Sequence, residues 1–545
     1  MRTFTLLVLL LIYTGITMAQ SKDQMIMQIL EEAYQPGLTL AYFEDGKIVE
    51  SKAFGYQSTD RKTPVTENTV FSAASLSKPI LAYLVLQMAD QGTFDLDKPL
   101  LDYYQYGDIL EQEQATLVTA RMVLSHQSGL PNWRRGGPLA FTNAPGTKFG
   151  YSGEAFEWLQ HTIEHLSGKN LEALAKEKIF HPFGMSRTSF VWQDHFETDY
   201  AIPHNNIGKS WRKSKGTKPS AAHSLQTTAS DYARFLMALA EGTGLSSTSL
   251  QEMLHEQVLV EEKPEIKGSV HWGLGVGLQE TSAGKEFWHW GDNGTFKAYF
   301  TVSPEQKKGM VYFANSQNGL SFTPELVQLY METSQPGWIW NGYDHYQSPA
   351  FQMLPKVLAS SFQEVISNMK QQGFLDDLEE RNITRFAGRL SYEKRLVDAE
   401  ATLRYGLTRF PESKAIQEDL ASLLMNDGRT AAAQEVLQIL LKKNPDASTA
   451  KELLQKISTP SKGGISIQFH QYPTAKMISL VGDFNKWESN THLFRWEDGF
   501  WTCRFDLEPG TYHYQIVVDG VRILDPNQSE TGFKDGKHFS ILQVK

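Results

Sequence analysis

The sequence predicts a multidomain chain: an α+β domain with an antiparallel sheet and helices, an α-helical repeat-like segment, and a C-terminal immunoglobulin-like β-sandwich. Three observations predict it. Strand-like runs stand at both ends of the N-terminal region with helical periods between them, so the sheet must pair distant segments. A later stretch is almost purely helical and repeats at a fixed spacing. The last part alternates short strands with turn residues.

Taken in order, the chain opens with Arg2 and an apolar run from Phe4 to Ile16, followed by Thr17-Met18-Ala19-Gln20. That run is shorter than the ~20 residues a membrane span needs, so residues 1–19 are expected to be a cleaved signal peptide. A hairpin follows: Gly37 to Phe43 and Lys47 to Phe54 flank a turn with Asp45-Gly46. Helical periods run from Ile80 to Gln87 and from Glu154 to Leu166. Strands return at Glu286 to Trp290, Ala298 to Val302 and Gly309 to Ala314. Together these assign residues 20–340 to the α+β domain.

Residues 347–457 read as helical. Ala399, Leu403 and Pro411 align with Ala433, Leu437 and Pro445 at a spacing of 34. A small residue, an apolar one four later and a helix-ending proline at that period resemble tetratricopeptide-like hairpins. Two visible repeats favour a spacer packed on a neighbour over a free solenoid. Ser458 to Gly464 form a linker. Strands in residues 464–545, such as Ile465 to Phe469 and Tyr512 to Val518, with turns at Pro509-Gly510 and Asp519-Gly520, predict the small β-sandwich.

Composition excludes some function classes. The formal net charge is −10 with both signs interspersed, which argues against nucleic acid or anionic membranes as main partners. Cys503 is the single cysteine, so no intramolecular disulfide can form. No segment after the leader is long and apolar enough to span a membrane. A leader without disulfides points to a secreted or periplasmic protein of bacterial style.

The candidate chemistry centres on Ser75-Leu76-Ser77-Lys78. On a helix the three-residue gap stacks the amine over the hydroxyl, and a nearby base can then take a proton that serine does not lose unaided. The same pattern recurs at Ser210, Ser282, Ser367, Ser391 and Ser448. Alone it describes a helix start, with Ser72 or Ser75 as N-cap and Lys78 in solvent. Two further elements change that: Tyr151 in a turn before an amphipathic helix (Phe149-Gly150-Tyr151-Ser152-Gly153), and His289-Trp290-Gly291-Asp292 after a strand.

In this order the trio resembles the motifs of the serine β-lactamase, penicillin-binding protein and esterase superfamily, in its class C-like branch. Val123 to Leu130, Ile179 to Met185, Ser224 to Asp231 and Trp272 to Gly277 fall at family-like places. The resemblance implies that Ser75 attacks an acyl carbonyl. Tyr151, its proton affinity lowered by Lys78, would act as general base and then as acid. The backbone N–H groups of Ser75 and Asp292 would form an oxyanion hole. His289 would position Tyr151 or a substrate carboxylate, with Gly153, Trp290 and Gly291 lining the substrate site. No cofactor and no metal is implied.

The chain departs from the family pattern at two places. The second motif ends in Gly153 where asparagine is usual, and the third has His289 where β-lactamases have lysine. Both weaken β-lactam or D-Ala-D-Ala chemistry and favour an ester or amide as substrate. Three readings stay open: an esterase or D-peptidase/amidase-like enzyme on a small-molecule or peptide acyl substrate, a β-lactamase or penicillin-binding DD-peptidase, and a non-turnover glycan-binding or sensor protein on this scaffold.

Two other patterns need weighing. His161-Thr162-Ile163-Glu164-His165 matches an inverted zinc-peptidase motif, but Leu159, Ile163 and Leu166 form that helix's apolar stripe and no third ligand is evident. It reads as scaffold. The last 80 or so residues resemble the glycogen-binding, family 48 carbohydrate-binding module through Leu480 to Trp487, Asp498-Gly499-Phe500-Trp501 and Pro509 to Tyr514. The resemblance implies sugar stacking on Trp487. Arg522 stands where the family has a second tryptophan, and Gln515 where it has a ligand lysine. Glycan binding and a structural or docking role both stay open.

Overall fold

A computed structural model describes residues 21–545 apart from 108, 110–111, 135–138, 261–262, 373–378, 459–463, 474, 476–477, 486, 488–491, 498–499, 508, 535–536 and 545. The leader at residues 1–19, the centre of the expected linker and the Asp498-Gly499 turn therefore lie outside the described residues. The chain forms two compact units, Met1–Ser360 with Gln372–Asp377, and Ser361–Gln371 with Leu378–Lys545.

The first unit is built on a nine-stranded sheet. Its strands are β1 (Gly37–Glu44), β2 (Lys47–Ser58), β3 (Thr63–Pro64), β6 (Val258–Leu259), β7 (Val270–Trp272), β8 (Gly277–Thr281), β9 (Gly284–Asp292), β10 (Lys297–Ser303) and β11 (Lys308–Ala314). The order is β3-β2-β1-β11-β10-β9-β8-β7-β6. The expected pairing of distant segments is the β1–β11 ladder, antiparallel from Leu38↔Ala314 to Glu44↔Lys308. The β1–β2 hairpin closes through Asp45 and Gly46, both with positive φ, as a tight turn between twisted strands requires. A separate short pair, β4 (Phe71–Ser72) with β5 (Gln226–Thr227), lies just ahead of Ser75.

Alternation along the strands fixes what each face buries. Ala298, Phe300 and Val302 of β10 and Val311 and Phe313 of β11 join one core with the helices Ser77–Asp90, Gly153–Ser167 and Ala229–Ala240. Tyr299, Met310, Tyr312 and Ala314 face the other core, with the helices Lys22–Glu32 and Thr323–Tyr330. Every residue of β10 is buried, as a central strand covered on both sides must be. Such a strand tolerates polar groups only when they are satisfied: Thr301 donates to Glu286 Oε2 at 2.6 Å, and Gln279 donates to the same oxygen at 3.1 Å.

In the second unit the helices Glu380–Tyr392, Leu396–Arg409, Lys414–Asn426, Thr430–Lys443 and Ser448–Ser458 follow one another. The repeated Ala399, Leu403, Ala433 and Leu437 are all buried, and each proline falls two residues past a helix end. The last 80 or so residues form two sheets. One joins Gly464–Phe469, Phe500–Asp506 and Arg495–Glu497; the other is six-stranded around Ile478–Gly482 and Gly510–Val518. Phe469, Leu480, Cys503, Tyr514 and Ile516 are buried between them. Among the described residues no helix is long and apolar enough to cross a membrane.

Phe300 packs on both Tyr232 and Phe287, with ring centroids 5.9 and 6.0 Å apart. Phe300→Ala is expected to destabilise the protein by about 3–5 kcal/mol, read as a lower urea midpoint at unchanged slope. A loss under about 1 kcal/mol would contradict a close-packed centre to this sheet.

Candidate active site

Ser75 sits in a sharp turn between β4 and the helix Ser77–Asp90. The residue before it, Ala74, has φ +48°, a conformation a side chain adopts only under constraint. That constraint is visible from the sheet. A Cβ on Gly291 of β9 would lie 2.5 Å from the Ala73 carbonyl oxygen and 3.3 Å from Ala74 Cβ. Gly291 is therefore bare because β9 runs hard against the turn that carries Ser75, and substrate access is not needed to explain it. This approach sets Ser75 beside the third motif.

Neither Ser72 nor Ser75 caps the helix. Its N-cap is Leu76, without a side-chain cap. Lys78 is fully buried, not solvated. Its Nζ donates to Ser75 Oγ at 3.1 Å and to the Ala222 carbonyl at 2.7 Å, and lies 4.9 Å from the Tyr151 ring centroid. Burial pushes its pKa down to about 7, the charge of Glu157 opposing only in part. Near neutral pH this amine has a lone pair to offer.

Tyr151 is held by Ser152, which caps the helix Gly153–Ser167, accepting from Ala155 N at 3.0 Å. Its ring packs on His126 at 4.2 Å and Trp290 at 4.8 Å between centroids. Burial raises its pKa, and the nearby Ser75 hydroxyl only partly offsets this. The surroundings therefore keep Tyr151 a phenol at neutral pH, and Lys78 is the group poised to take the Ser75 proton. The Tyr151 hydroxyl is buried, and among the described residues no group meets it in good hydrogen-bond geometry.

His289 is also buried, and burial followed by the Lys78 charge lowers its pKa to about 3. Its Nδ1 lies 2.7 Å from the Trp290 carbonyl. A carbonyl only accepts, so Nδ1 carries the proton and Nε2 presents a lone pair. That nitrogen is buried and has no hydrogen-bond partner among the described residues. A neutral imidazole presenting an acceptor repels a carboxylate, which leaves the alternative expected role, orienting a hydroxyl such as that of Tyr151. The side chain of Asp292 is fully engaged: it pairs with Lys297 and accepts from Tyr343 Oη at 2.7 Å and Gly294 N at 2.8 Å. These contacts fix the backbone whose N–H was expected in the oxyanion hole.

The second-motif departure at Gly153 has a physical counterpart. A Cβ there would lie 2.8 Å from the Trp133 indole and 3.0 Å from the Asn132 carbonyl. Trp133, partly exposed, occupies the space next to Gly153 and meets His223 edge-on at 5.6 Å. The motifs gave no sign of Trp133, Ala222 or the stacking role of His126, because each acts through position in a loop and not through a spacing. Trp290 lies in an aromatic wall with Tyr151, Trp272 and Trp340. His161 bonds Glu164 at 3.3 Å, and Tyr104 packs against His165 at 5.5 Å, so the zinc-like motif is engaged in scaffold contacts. In the second unit, the Arg522 guanidinium stands 5.7 Å from the Trp487 ring centroid, and Phe539 packs on the same indole at 5.0 Å.

A protein-family model described as Beta-lactamase matches residues 23–334. A Tetratricopeptide repeat model matches 390–457, and a model of the glycogen recognition site of AMP-activated protein kinase matches 465–545. These are the three components the motifs resembled. Among curated proteins, "Protein flp" of Staphylococcus aureus (strain NCTC 8325 / PS 47) is 22% identical over 340 residues, 57% of this chain. The chain spans 65% of the length of that relative. "Penicillin-binding protein 4" of Amycolatopsis lactamdurans is 25% identical over 332 residues, covering 54% of this chain and 85% of its own. The fold is shared with the octameric penicillin-binding protein homologue from Pyrococcus abyssi, at 22% identity and TM-score 0.51 over 58% of this chain and 77% of that one.

The buried amine makes stability depend on pH. Below pH 7 both folded and unfolded chains hold the Lys78 proton, and the fold carries the whole cost of a buried cation. Between about 7 and the ordinary 10.5 only the unfolded chain holds it, so that cost fades as pH rises. Lys78→Met is expected to stabilise the protein by a few kcal/mol below pH 7, with the gain vanishing by about pH 10.5. Urea titrations across that range check it; a constant gap would mean the amine is not desolvated.

Proposed function

Because the chain belongs to the beta-lactamase family, we propose that it is an exported serine hydrolase acting through an acyl-serine intermediate on an ester or amide. The observation that carries this reading is the 3.1 Å contact between Ser75 Oγ and the buried amine of Lys78, whose pKa lies near 7. In the proposed reaction Ser75 Oγ attacks the acyl carbonyl as Lys78 takes its proton. The carbonyl oxygen becomes an oxyanion facing the N–H groups of Ser75 and Asp292. Collapse breaks the bond to the leaving group, which receives a proton from Tyr151. The phenol is reprotonated from Lys78, with His289 Nε2 orienting it. Water then attacks the acyl-serine as it gives a proton to Lys78, the acyl–Oγ bond breaks to release the acid, and that proton passes to Ser75 Oγ.

Gly153, Trp133 and the neutral His289 favour a simple ester or amide over a β-lactam or D-Ala-D-Ala peptide. None of them supplies a cation for a substrate carboxylate or the amide of the usual asparagine. A fluorophosphonate probe and p-nitrophenyl butyrate test the reading. Wild type should be labelled and turn over, and Ser75→Ala should lose both; an unlabelled wild type would sink it in favour of a non-turnover protein. Below pH about 7 kcat/KM should fall roughly tenfold per pH unit, as Lys78 gains its proton. Nitrocefin hydrolysis should be weak or absent, and efficient hydrolysis would decide for a β-lactamase.

For the C-terminal residues, the match to a glycogen recognition model and the presence of Trp487 support a glycan-binding ancestry. Arg522 packed on that indole supports a weakened platform. The expected result is faint retardation of the full chain in amylose gels, removed by Trp487→Ala and strengthened about tenfold by Arg522→Trp. Strong retardation of wild type would contradict the weakening.

A further inference from the structure

A cavity of about 190 Å³ opens beside the nucleophile's turn. Ser72, Arg212, Ser214, His223, Asn293 and Thr295 are among its lining residues. Three of these are chain neighbours of site groups: Ser72 lies three residues before Ser75, His223 follows the Ala222 whose carbonyl holds Lys78, and Asn293 follows Asp292. Asn293 fastens the walls together, its Nδ2 donating to Ser72 Oγ at 3.0 Å and to the His223 carbonyl at 3.2 Å.

The cavity carries one uncompensated charge. No acidic residue lines it among the described residues. The exposed Arg212 makes no ion pair among the described residues, while Lys213 and Lys215, its neighbours on the same loop, both pair with Glu197. The other basic side chains near Ser75 are engaged: Lys78 on Ser75 and Ala222, Lys297 on Asp292. His289 presents a lone pair. A planar guanidinium, with hydroxyls and an amide near it and the apolar surfaces of Tyr200, Pro203 and Phe296 lining the rest of the cavity, suits a carboxylate carried on an apolar chain.

The side of the substrate also follows. Tyr151, the proposed proton donor to the leaving group, belongs to the wall formed with Trp272 and Trp290, whereas this cavity is lined by Ser72, His223 and Asn293, on the segments that carry Ser75, Ala222 and Asp292. The leaving group departs toward its proton donor, so the cavity is left to the acyl group. Resting on the serine hydrolase reading, we propose that this cavity receives the acyl side chain and that Arg212 selects acyl groups ending in an anion, dicarboxylic half-esters being the simplest.

Mono-p-nitrophenyl glutarate and p-nitrophenyl butyrate, which differ mainly by a terminal carboxylate, test this on the full chain. Wild type is expected to favour the glutarate about tenfold or more in kcat/KM, through KM, with the preference shrinking as salt is added. Arg212→Gln should bring the ratio near one, and Arg212→Lys should retain part of it. A Ser75-dependent hydrolysis of both esters with no anion preference, or a preference that Arg212→Gln leaves intact, overturns this inference and leaves the hydrolase reading standing. Loss in Arg212→Gln confined to 4-carboxyphenyl butyrate, where the charge is on the leaving group, also overturns it. Absence of Ser75-dependent turnover of either ester overturns both.

Discussion

The site depends on one desolvated amine. Lys78 sits wholly inside the protein with two partners, the hydroxyl of Ser75 and the carbonyl of Ala222. A cation there would cost several kcal/mol, so the protein holds this group close to its neutral form. Everything around it follows from keeping it dry and still: Phe156 and Tyr151 face it with their rings, His126 backs Tyr151, and the loop bearing Ala222 supplies the acceptor. A lysine in solvent would be a permanent cation and could not serve as a base at neutral pH.

The sheet supplies the rigidity this arrangement needs. β9 presses its glycine against the Ala73 carbonyl, and the left-handed Ala74 turns the chain so that Ser75 heads its helix from the inside. Asp292 at the end of the same strand is tied by Lys297 from β10 and by Tyr343. Of the groups proposed to meet the substrate, His289 and Asp292 hang on β9, while Ser75, Lys78 and Tyr151 stand on a turn, a helix and a loop; Trp133 and Arg212 stand on loops.

Much of this was legible in the sequence, and what was not has a physical reason. The hairpin, the late strands and the main helices followed from periodicity, because burial on one face leaves a regular trace. The repeat at 399 and 433 was visible for the same cause. Ser75, Tyr151 and His289 could be picked out because their order and local turns form a pattern. The charge states could not: they depend on burial by residues far away in the chain, such as Ala222 beside Lys78. The sequence suggested a lysine that tunes a tyrosine. The fold instead gives a lysine near its own titration point and a tyrosine pushed away from ionising. Trp133 and Arg212 were hidden because loop side chains leave no periodic signal.

The sheet order has a consequence for how the chain is made. β1 lies between β2 and β11, the last strand of the sheet, so the first hairpin meets its other neighbour only when Ala314 and its strand exist. Until then one side of β1 offers a row of unpaired backbone groups, an adhesive edge for other chains. Long-range pairing of this kind is slow to form, and the exposed interval during synthesis grows with it. The first unit thus ripens late, and its N-terminal strands need shielding until β11 is made.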